Sequence, residues 1–385
     1  MLDRRVLLLI ALLPLAAMAA ANPQWEAFID PYSQVFPSLE IATATTTWDT
    51  ADDSESVVGD QQGLIYVDVT GARAGAPFEL IVRIPGLAPE SRLSGVIPAV
   101  EGPISLAPTI AWDYQALAAI RQSRPVNVEF ELSLDGKALG KRIERVRLRS
   151  VNDALYYIDE EDDSGDLDFN WLFAAYVNED HPAVDQILKE ALDSGVVESF
   201  SGYQDEDPDA VLKQVYAIWH VLQSRGIRYS SITRTANEHD NVMSQHVRFI
   251  DESLAMTQAN CVDGSVLMAS VLRKIDIAPV LVLVPGHMFL GFALDEEGEE
   301  MAYLETTMLG DVQPGRAKQA DNVRKRSESF GVDVEASLES FEAALAEGQS
   351  QVDEAGDAFE DEDNLDYQFI DIQEAREYGV MPITR

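Results

Sequence analysis

The sequence is poor in cysteine and in basic residues. Its 385 residues include one cysteine, Cys261, and 28 lysine and arginine residues against 67 aspartate and glutamate residues, for a formal net charge of −39. A lone cysteine excludes an internal disulfide, and a strongly acidic chain is repelled by nucleic acid. We therefore expect a free thiol, no nucleic-acid partner and an acidic surface that favours cationic substrates.

Long apolar runs are absent outside the N-terminus, so no later stretch is expected to span a membrane. At the N-terminus, Arg4 and Arg5 precede an apolar run over residues 6–16, and Ala19 and Ala21 offer cleavage sites without a cysteine nearby. This pattern predicts a secretory signal peptide over residues 1–21, and the alternative is an N-terminal membrane anchor. We expect an exported protein, periplasmic or secreted, that is not a lipoprotein and has no stable membrane insertion after cleavage.

The acidic residues are concentrated in short runs, at residues 159–163, 205–207 and 360–363. None of these runs has the regular ligand spacing of a calcium loop, so a solvated acidic surface is the simpler interpretation. His239 and His246 lie seven residues apart in a polar stretch without a nearby cysteine, which is a poor pattern for zinc. The sequence therefore predicts neither a metal site nor a cofactor.

The first half of the chain has the pattern of β-strands. Apolar and polar residues alternate over 64–69, 78–84, 126–134 and 143–148, with Asp135 and Gly136 as a hairpin signal between the last two. One short helix is predicted near residues 114–121. The segment 22–150 thus predicts a β-sandwich-like domain. It contains neither cysteine nor histidine, so we expect it to serve binding or spacing rather than catalysis.

The second half is predicted to be mixed. Residues 151–208 indicate an acidic linker and a helical region with helices at 169–177 and 182–192, and a further domain is predicted over 209–385. Within it, 209–224 is amphipathic, 341–347 indicates a short helix and 367–372 a strand. The polar segment 315–364 is expected to be partly mobile.

The only cysteine opens a predicted helix. Cys261 is followed by apolar residues at helical spacing up to Lys274. Asn260 is a good N-cap, and Asp263 stands where a carboxylate can return a hydrogen bond to the cap backbone. Unpaired N–H groups and the positive end of the helix dipole stabilise a thiolate, so a cysteine here is a better nucleophile than a free one. The alternative is a small buried core residue.

A histidine and a carboxylate follow on predicted strands. His287 opens the strand after the Pro285-Gly286 break, and Glu305 ends the next strand. An activated thiol, a base and an acid that fixes the tautomer of the base form a nucleophilic triad. A simple hairpin between these strands would pair Glu305 with Leu290. Direct pairing with His287 requires a register centred near Glu296, or a bulge.

These motifs resemble the bacterial branch of the transglutaminase-like superfamily of papain-type cysteine enzymes. The resembling segments are NCVDGSVLMASVL at 260–272, VLVPGH at 282–287 and YLETT at 303–307, within a resemblance that covers about 210–383. It implies an α+β fold, with a papain-like core of a helix packed on an antiparallel sheet after the β-sandwich-like domain. It further implies Cys261 as nucleophile, His287 as general base and acid, and Glu305 as orienting carboxylate where many members have aspartate.

The resemblance also suggests an oxyanion donor. Related bacterial chains carry a Gln-x-x-Arg segment before the cysteine helix, which corresponds here to Gln245 through Arg248. A glutamine amide and the backbone N–H of the nucleophile hold the oxyanion in papain-type enzymes, so Gln245 is the candidate and Gln258 its rival. Either side chain could equally face solvent.

Together these patterns predict an exported cysteine enzyme that attacks peptide or amide bonds in a protein or peptide substrate. Hydrolysis is favoured over crosslinking, because water is always present and no amine site is apparent. The alternative is a catalytically silent binding or assembly module of the cell envelope with the same fold.

Overall fold

The computed structural model describes residues 22–48, 54–159, 166–231, 239–310, 317–333, 335–361 and 364–384. The predicted signal peptide at 1–21 and residues 160–163 of the first acidic run lie outside the described residues. The fold is mixed α+β, which confirms the predicted class. Among the described residues, no helix combines the length and the apolar character that a bilayer crossing requires.

The strands are β1 Gln24–Ile29, β2 Gln34–Val35, β3 Val57–Gly59, β4 Ile65–Thr70, β5 Pro77–Ile84, β6 Ala88–Val96, β7 Ile104–Ala107, β8 Arg124–Leu134, β9 Lys137–Leu148, β10 Asp153–Ile158, β11 Leu167–Asp168, β12 Arg228–Tyr229, β13 Val242–His246, β14 Gln258–Ala259, β15 Pro279–Val284, β16 His287–Ala293, β17 Met301–Leu304 and β18 Gln368–Asp371.

The α-helices are α1 Pro37–Ala42, α2 Tyr114–Ala118, α3 Pro182–Asp193, α4 Pro208–Ser224, α5 Ile250–Met256, α6 Cys261–Lys274, α7 Ala317–Phe330, α8 Ala336–Ala355 and α9 Ile372–Glu377. Within the described residues, 3-10 helices also lie at Asn170–Tyr176, Thr306–Met308 and Gly356–Glu360.

The chain divides into two compact units. The N-terminal unit contains the described residues up to 169 together with 239–244, and the C-terminal unit contains 170–231 and the described residues of 245–384. This division differs from the predicted boundaries at 150 and 208. The N-terminal unit continues past residue 150 because β10 pairs with β11 and, at its other edge, with β13.

The N-terminal unit contains two larger sheets, of strand order β1-β4-β7-β3 and β2-β9-β8-β5-β6. Alternate residues of β8, from Val128 to Leu134, are buried, as a period of two predicts. Side chains from both sheets form one hydrophobic core cluster. The predicted hairpin is present, because Leu134 pairs with Lys137 and the turn residues Asp135 and Gly136 both have positive φ.

The C-terminal unit is built around an antiparallel sheet of order β17-β16-β15-β18. Helix α6 packs against β15 and β16, and its side chains from Val262 to Leu272 are buried. Helix α8 lies along the edge strand β17. The helix predicted at 169–177 is a 3-10 helix at Asn170–Tyr176.

The structure corrects the interpretation of residues 315–364. Instead of one short helix at 341–347 in a partly mobile segment, the described residues form α7 and the 20-residue α8. Helix α8 has a buried stripe in which Leu338, Phe341 and Ala344 recur at every third position. The polar composition of the segment makes this stripe difficult to recognise from the sequence. Arg326 of α7 also forms ion pairs with Asp209 and Glu342, which join α7 to α4 and α8.

Candidate active site

The thiol lies at the start of α6. Cys261 is the first residue of the helix and is partly exposed, with Asn260 as the N-cap. The side chain of Asn260 accepts a hydrogen bond from the N–H of Asp263 at 2.8 Å, and Asp263 accepts one from the N–H of Asn260 at 3.0 Å. The capping box predicted from the sequence is therefore present, and the backbone N–H of Cys261 has no acceptor within the helix.

Asp263 also binds an arginine from the preceding segment. Its two carboxylate oxygens accept from the backbone N–H and from Nη1 of Arg248, each at 2.7 Å. The side chains of Asp263 and Arg248 are 0% and 9% exposed. Burial raises the pKa of the Asp263 carboxyl, and its hydrogen bonds and the guanidinium charge act in the opposite direction. Sequence reasoning missed this pair, although Arg248 belongs to the Gln-x-x-Arg segment.

His287 is placed by a tight hairpin. It is the first residue of β16 and pairs with Val284, the last residue of β15, across the turn Pro285-Gly286. Gly286 has a φ of 71°, a conformation that glycine adopts readily. The short turn therefore holds the imidazole at the end of the sheet.

Glu305 reaches His287 diagonally across the sheet. Nε2 of His287 donates to Oε2 of Glu305 at 2.6 Å. In the observed register Leu290 pairs with Leu304, so Glu305 comes opposite Phe289, two residues from His287 and on the same face. The expectation that the two must pair directly, through a register centred near Glu296 or a bulge, is wrong. The extra methylene of glutamate spans the diagonal between positions whose Cα atoms are about 7–8 Å apart.

The imidazole is also within hydrogen-bond reach of the thiol. Burial lowers the pKa of His287, but hydrogen bonds with Cys261 and Glu305 and the negative charge of Glu305 raise it by more, to about 10. Because Nε2 is occupied by Glu305, Nδ1 is the nitrogen left for the sulfur. The structure thus brings Cys261, His287 and Glu305 together.

Glu305 is a buried carboxylate with four hydrogen-bond donors. Oε1 accepts from the N–H and the hydroxyl of Thr307, at 2.9 and 2.6 Å. Oε2 accepts from His287 and from Nε2 of Gln351, at 2.6 and 2.7 Å. Burial raises the pKa of Glu305, but the charge of His287 and the hydrogen bonds from His287 and Thr307 hold it below its usual range. An ionised carboxylate has about four acceptor sites, so this one is filled.

Close packing connects the first turn of α6 to the residue after Glu305. A Cβ atom on Gly264 would lie 3.0 Å from Oγ1 and 3.1 Å from Cβ of Thr306. Ser265 donates to the carbonyl oxygen of Cys261 at 2.8 Å, and its hydroxyl lies 3.2 Å from that of Thr306. The small residues after the cysteine therefore allow the thiol to approach the strand end that carries Glu305.

Helix α8 makes a second close approach. A Cβ atom on Gly348 would lie 2.6 Å from the carbonyl carbon of Tyr303, closer than real contacts allow. Gln351, one turn later, is the residue that binds Glu305. Sequence reasoning missed Gln351, because nothing local connects it to a strand end 46 residues earlier.

We expect Gly348→Ala to destabilise the protein, although alanine in a helix is normally favoured over glycine by about 1 kcal/mol. The added methyl group must displace α8 from β17, at a cost of about 1–3 kcal/mol. Thermal unfolding measures this change. Glu347→Ala, at an exposed position on the same helix, is the control and should leave the unfolding temperature unchanged. An unfolding temperature that rises in Gly348→Ala would contradict the close approach.

The oxyanion candidates stay predictions. Gln245 lies half-buried on β13, and its side-chain amide donates to the carbonyl oxygen of His246 at 3.1 Å. Gln258 lies half-buried on β14, two residues before the N-cap Asn260, and it pairs with Arg228 of β12. Within the described residues, no group of three or more His, Cys, Asp or Glu side chains is arranged to hold a metal ion.

No protein-family model matches the sequence, and no curated protein matches it. The site must therefore be interpreted from its own geometry.

Proposed function

We propose that this chain is a transglutaminase-like cysteine enzyme of papain type, which attacks a peptide or amide carbonyl through Cys261, His287 and Glu305. The observation that carries the proposal is the 2.6 Å hydrogen bond between His287 and Glu305, with the same imidazole in hydrogen-bond contact with a thiol at a helix start. A thiol, a base and an orienting carboxylate in that order can perform acyl transfer.

The reaction begins with the thiolate of Cys261 beside the imidazolium of His287. The sulfur attacks the carbonyl carbon, a C–S bond forms, and the carbonyl electron pair moves to oxygen. The backbone N–H of Cys261 is available to this oxyanion, with Gln245 or Gln258 as the second donor. Collapse breaks the C–N bond, and the leaving amine takes the proton from Nδ1 of His287, which leaves a thioester.

Water completes the cycle. His287, now neutral, accepts a proton from the water molecule that attacks the thioester carbonyl. The C–S bond breaks, the acid product leaves, and the thiolate and imidazolium are restored. Throughout, Glu305 holds the ring with Nε2–H directed at the carboxylate, so that Nδ1 always faces the sulfur. An amine in place of water would give amide exchange by the same steps.

We further propose that the chain is an exported enzyme with an accessory unit. We propose that the two sheets around the shared core of the N-terminal unit form a β-sandwich-like domain that binds or spaces, and that residues 1–21 direct export. In the C-terminal unit, the packing of α6 on an antiparallel sheet is the arrangement expected of a papain-like core. The acidic surface favours cationic protein or peptide substrates.

The proposal is tested by trapping the acyl-enzyme. The mature protein is incubated with cell-envelope protein extracts and with a synthetic peptide mixture, and then analysed by intact mass after acid quenching. We expect an adduct on the native protein at Cys261 and none on Cys261→Ala or on any other residue. His287→Gln should give no more than a trace of this adduct. The control is His220→Gln, because the native His220 ring bonds to Ser337. This variant should form as much adduct as the native protein.

Two outcomes would overturn the enzyme assignment. One is an adduct that forms equally on native protein and His287→Gln. The other is alkylation of Cys261 at neutral pH no faster than alkylation of a free thiol. Either result would favour the silent binding module, in which the fold is kept without the chemistry.

A further inference from the structure

We infer that Gln351 is a positioning residue of this site, which holds Glu305 in the orientation and ionisation state that direct Nδ1 of His287 at the thiol. The inference rests on the proposed function, since it assigns a role within the same triad. Gln351 touches neither the sulfur nor a reacting atom, and it acts through Glu305.

The hydrogen-bond donors are divided between the two oxygens of the Glu305 carboxylate. Thr307 occupies Oε1, so the oxygen that binds His287 has one remaining partner, the amide of Gln351 at 2.7 Å. The Glu305 side chain is 4% exposed, so water cannot readily replace a lost donor. Without Gln351, Oε2 would have only the imidazole, and the buried carboxylate would hold a proton more readily.

Close packing of α8 on the strand edge brings the amide of Gln351 to Glu305. Gly348 and Gln351 are three residues apart and therefore share one face of α8. The glycine lets this face approach the backbone of Tyr303, and the carbonyl oxygen of Ala344 accepts from the N–H of Glu305 at 3.0 Å. Helix α8 therefore binds Glu305 at two points, at its backbone N–H and at its side-chain carboxylate. A helix that only covered the strand edge would not need the second bond.

The charges around Glu305 also favour a neutral donor. Among the described residues, the titratable group that acts on Glu305 is His287 from β16, and Cys261 from α6 acts on that imidazole in turn. On α8 a neutral amide, rather than an acid or a base, faces the carboxylate. The acidic residues on either side of it and the arginine of the adjacent β12 are exposed: Glu347, Asp353, Glu354 and Arg228. An amide donor stabilises the carboxylate without competing with the imidazolium for its charge.

The test replaces Gln351 with methionine, which has a similar length and no donor. NMR titration of the imidazole of His287, assigned by its loss in His287→Gln, is the main measurement. We expect the proton affinity of His287 to fall about tenfold, on the order of one pH unit, because a carboxylate that the amide no longer fixes in place bonds less well to the imidazolium. Alkylation of Cys261 by iodoacetamide near neutral pH should slow in parallel.

The control is Gln349→Met on the same helix, where an exposed glutamine bonds to Asp353. It should leave the His287 titration and the alkylation rate unchanged. If Gln351→Met does not fold, Gln351→Asn withdraws the amide by one methylene and should shift the titration in the same direction. A purely structural role for Gln351 would lower the unfolding temperature without moving the His287 titration.

The results separate the two proposals. A native protein whose Cys261 reacts no faster than a free thiol would defeat the enzyme assignment and this inference with it. A reactive native protein whose His287 titration is the same in Gln351→Met or Gln351→Asn would leave the enzyme assignment in place and refute the role of Gln351.

Discussion

Iodoacetamide should alkylate Cys261 at least about tenfold more slowly in His287→Gln than in the native protein at about pH 5.5. In the native site the pKa of His287, raised to about 10, keeps a positive charge beside the sulfur at that pH. Without that positive charge, a thiol of ordinary pKa is about one-thousandth ionised at this pH. The thiolate of a less acidic thiol is more nucleophilic, but this recovers only part of the lost alkylation rate.

The alkylation rate of Cys261 as a function of pH shows the direction in which the imidazole acts. Below about pH 10 the imidazole is protonated and favours the thiolate, so native reactivity should persist on the acid side of neutrality. The reactivity of His287→Gln should instead fall with each pH unit on the acid side of neutrality, because no imidazolium offsets protonation of the sulfur. His220→Gln is the matched control, because that histidine is half-buried and bonded to Ser337. Parallel profiles for native protein and His287→Gln would show that the imidazole does not act on the sulfur.

Asp263→Ala should lower the free energy of unfolding of the C-terminal unit by about 3–5 kcal/mol. The substitution removes a fully buried carboxylate that accepts from the backbone N–H and the guanidinium of Arg248, and it also removes the returned hydrogen bond of the capping box. Denaturant unfolding followed by calorimetry or fluorescence measures the change.

The control for this prediction is Asp185→Ala. Asp185 is an exposed acid in the first turn of α3, in the same unit, and its loss should change the unfolding free energy by less than about 0.5 kcal/mol. Equal losses in the two variants would mean that the Arg248 pair contributes nothing beyond an ordinary acid in the first turn of a helix.

Features that depend on neighbouring residues could be predicted from the sequence. Asn260 and Asp263 are three residues apart, and the steric requirements of a helix start are local, so the capping box was readable. The hairpin at Asp135 and Gly136 was readable for the same reason, since the turn chemistry selects those residues. The α+β class was implied by the family resemblance, and the helical and strand periods along the chain agree with it.

Features that depend on distant residues were not readable. Arg248 binds Asp263 from 15 positions earlier, and Gln351 binds Glu305 from 46 positions later. Neither polar side chain stands out locally, because an arginine or a glutamine usually faces solvent. The buried stripe of α8 was missed because polar residues dominate the composition of the segment around it.

The sequence alone specifies which residues can do chemistry here: one thiol, a histidine after a tight turn and an acid at a strand end. Whether these residues meet depends on the strand register, which places Glu305 on the diagonal from His287. It also depends on close packing, which Gly264 and Gly348 allow. Caps and turns are set by bonds between neighbours along the chain. The contacts that complete the carboxylate are made by segments that meet only once the sheet and its helices have packed, so the whole fold sets them.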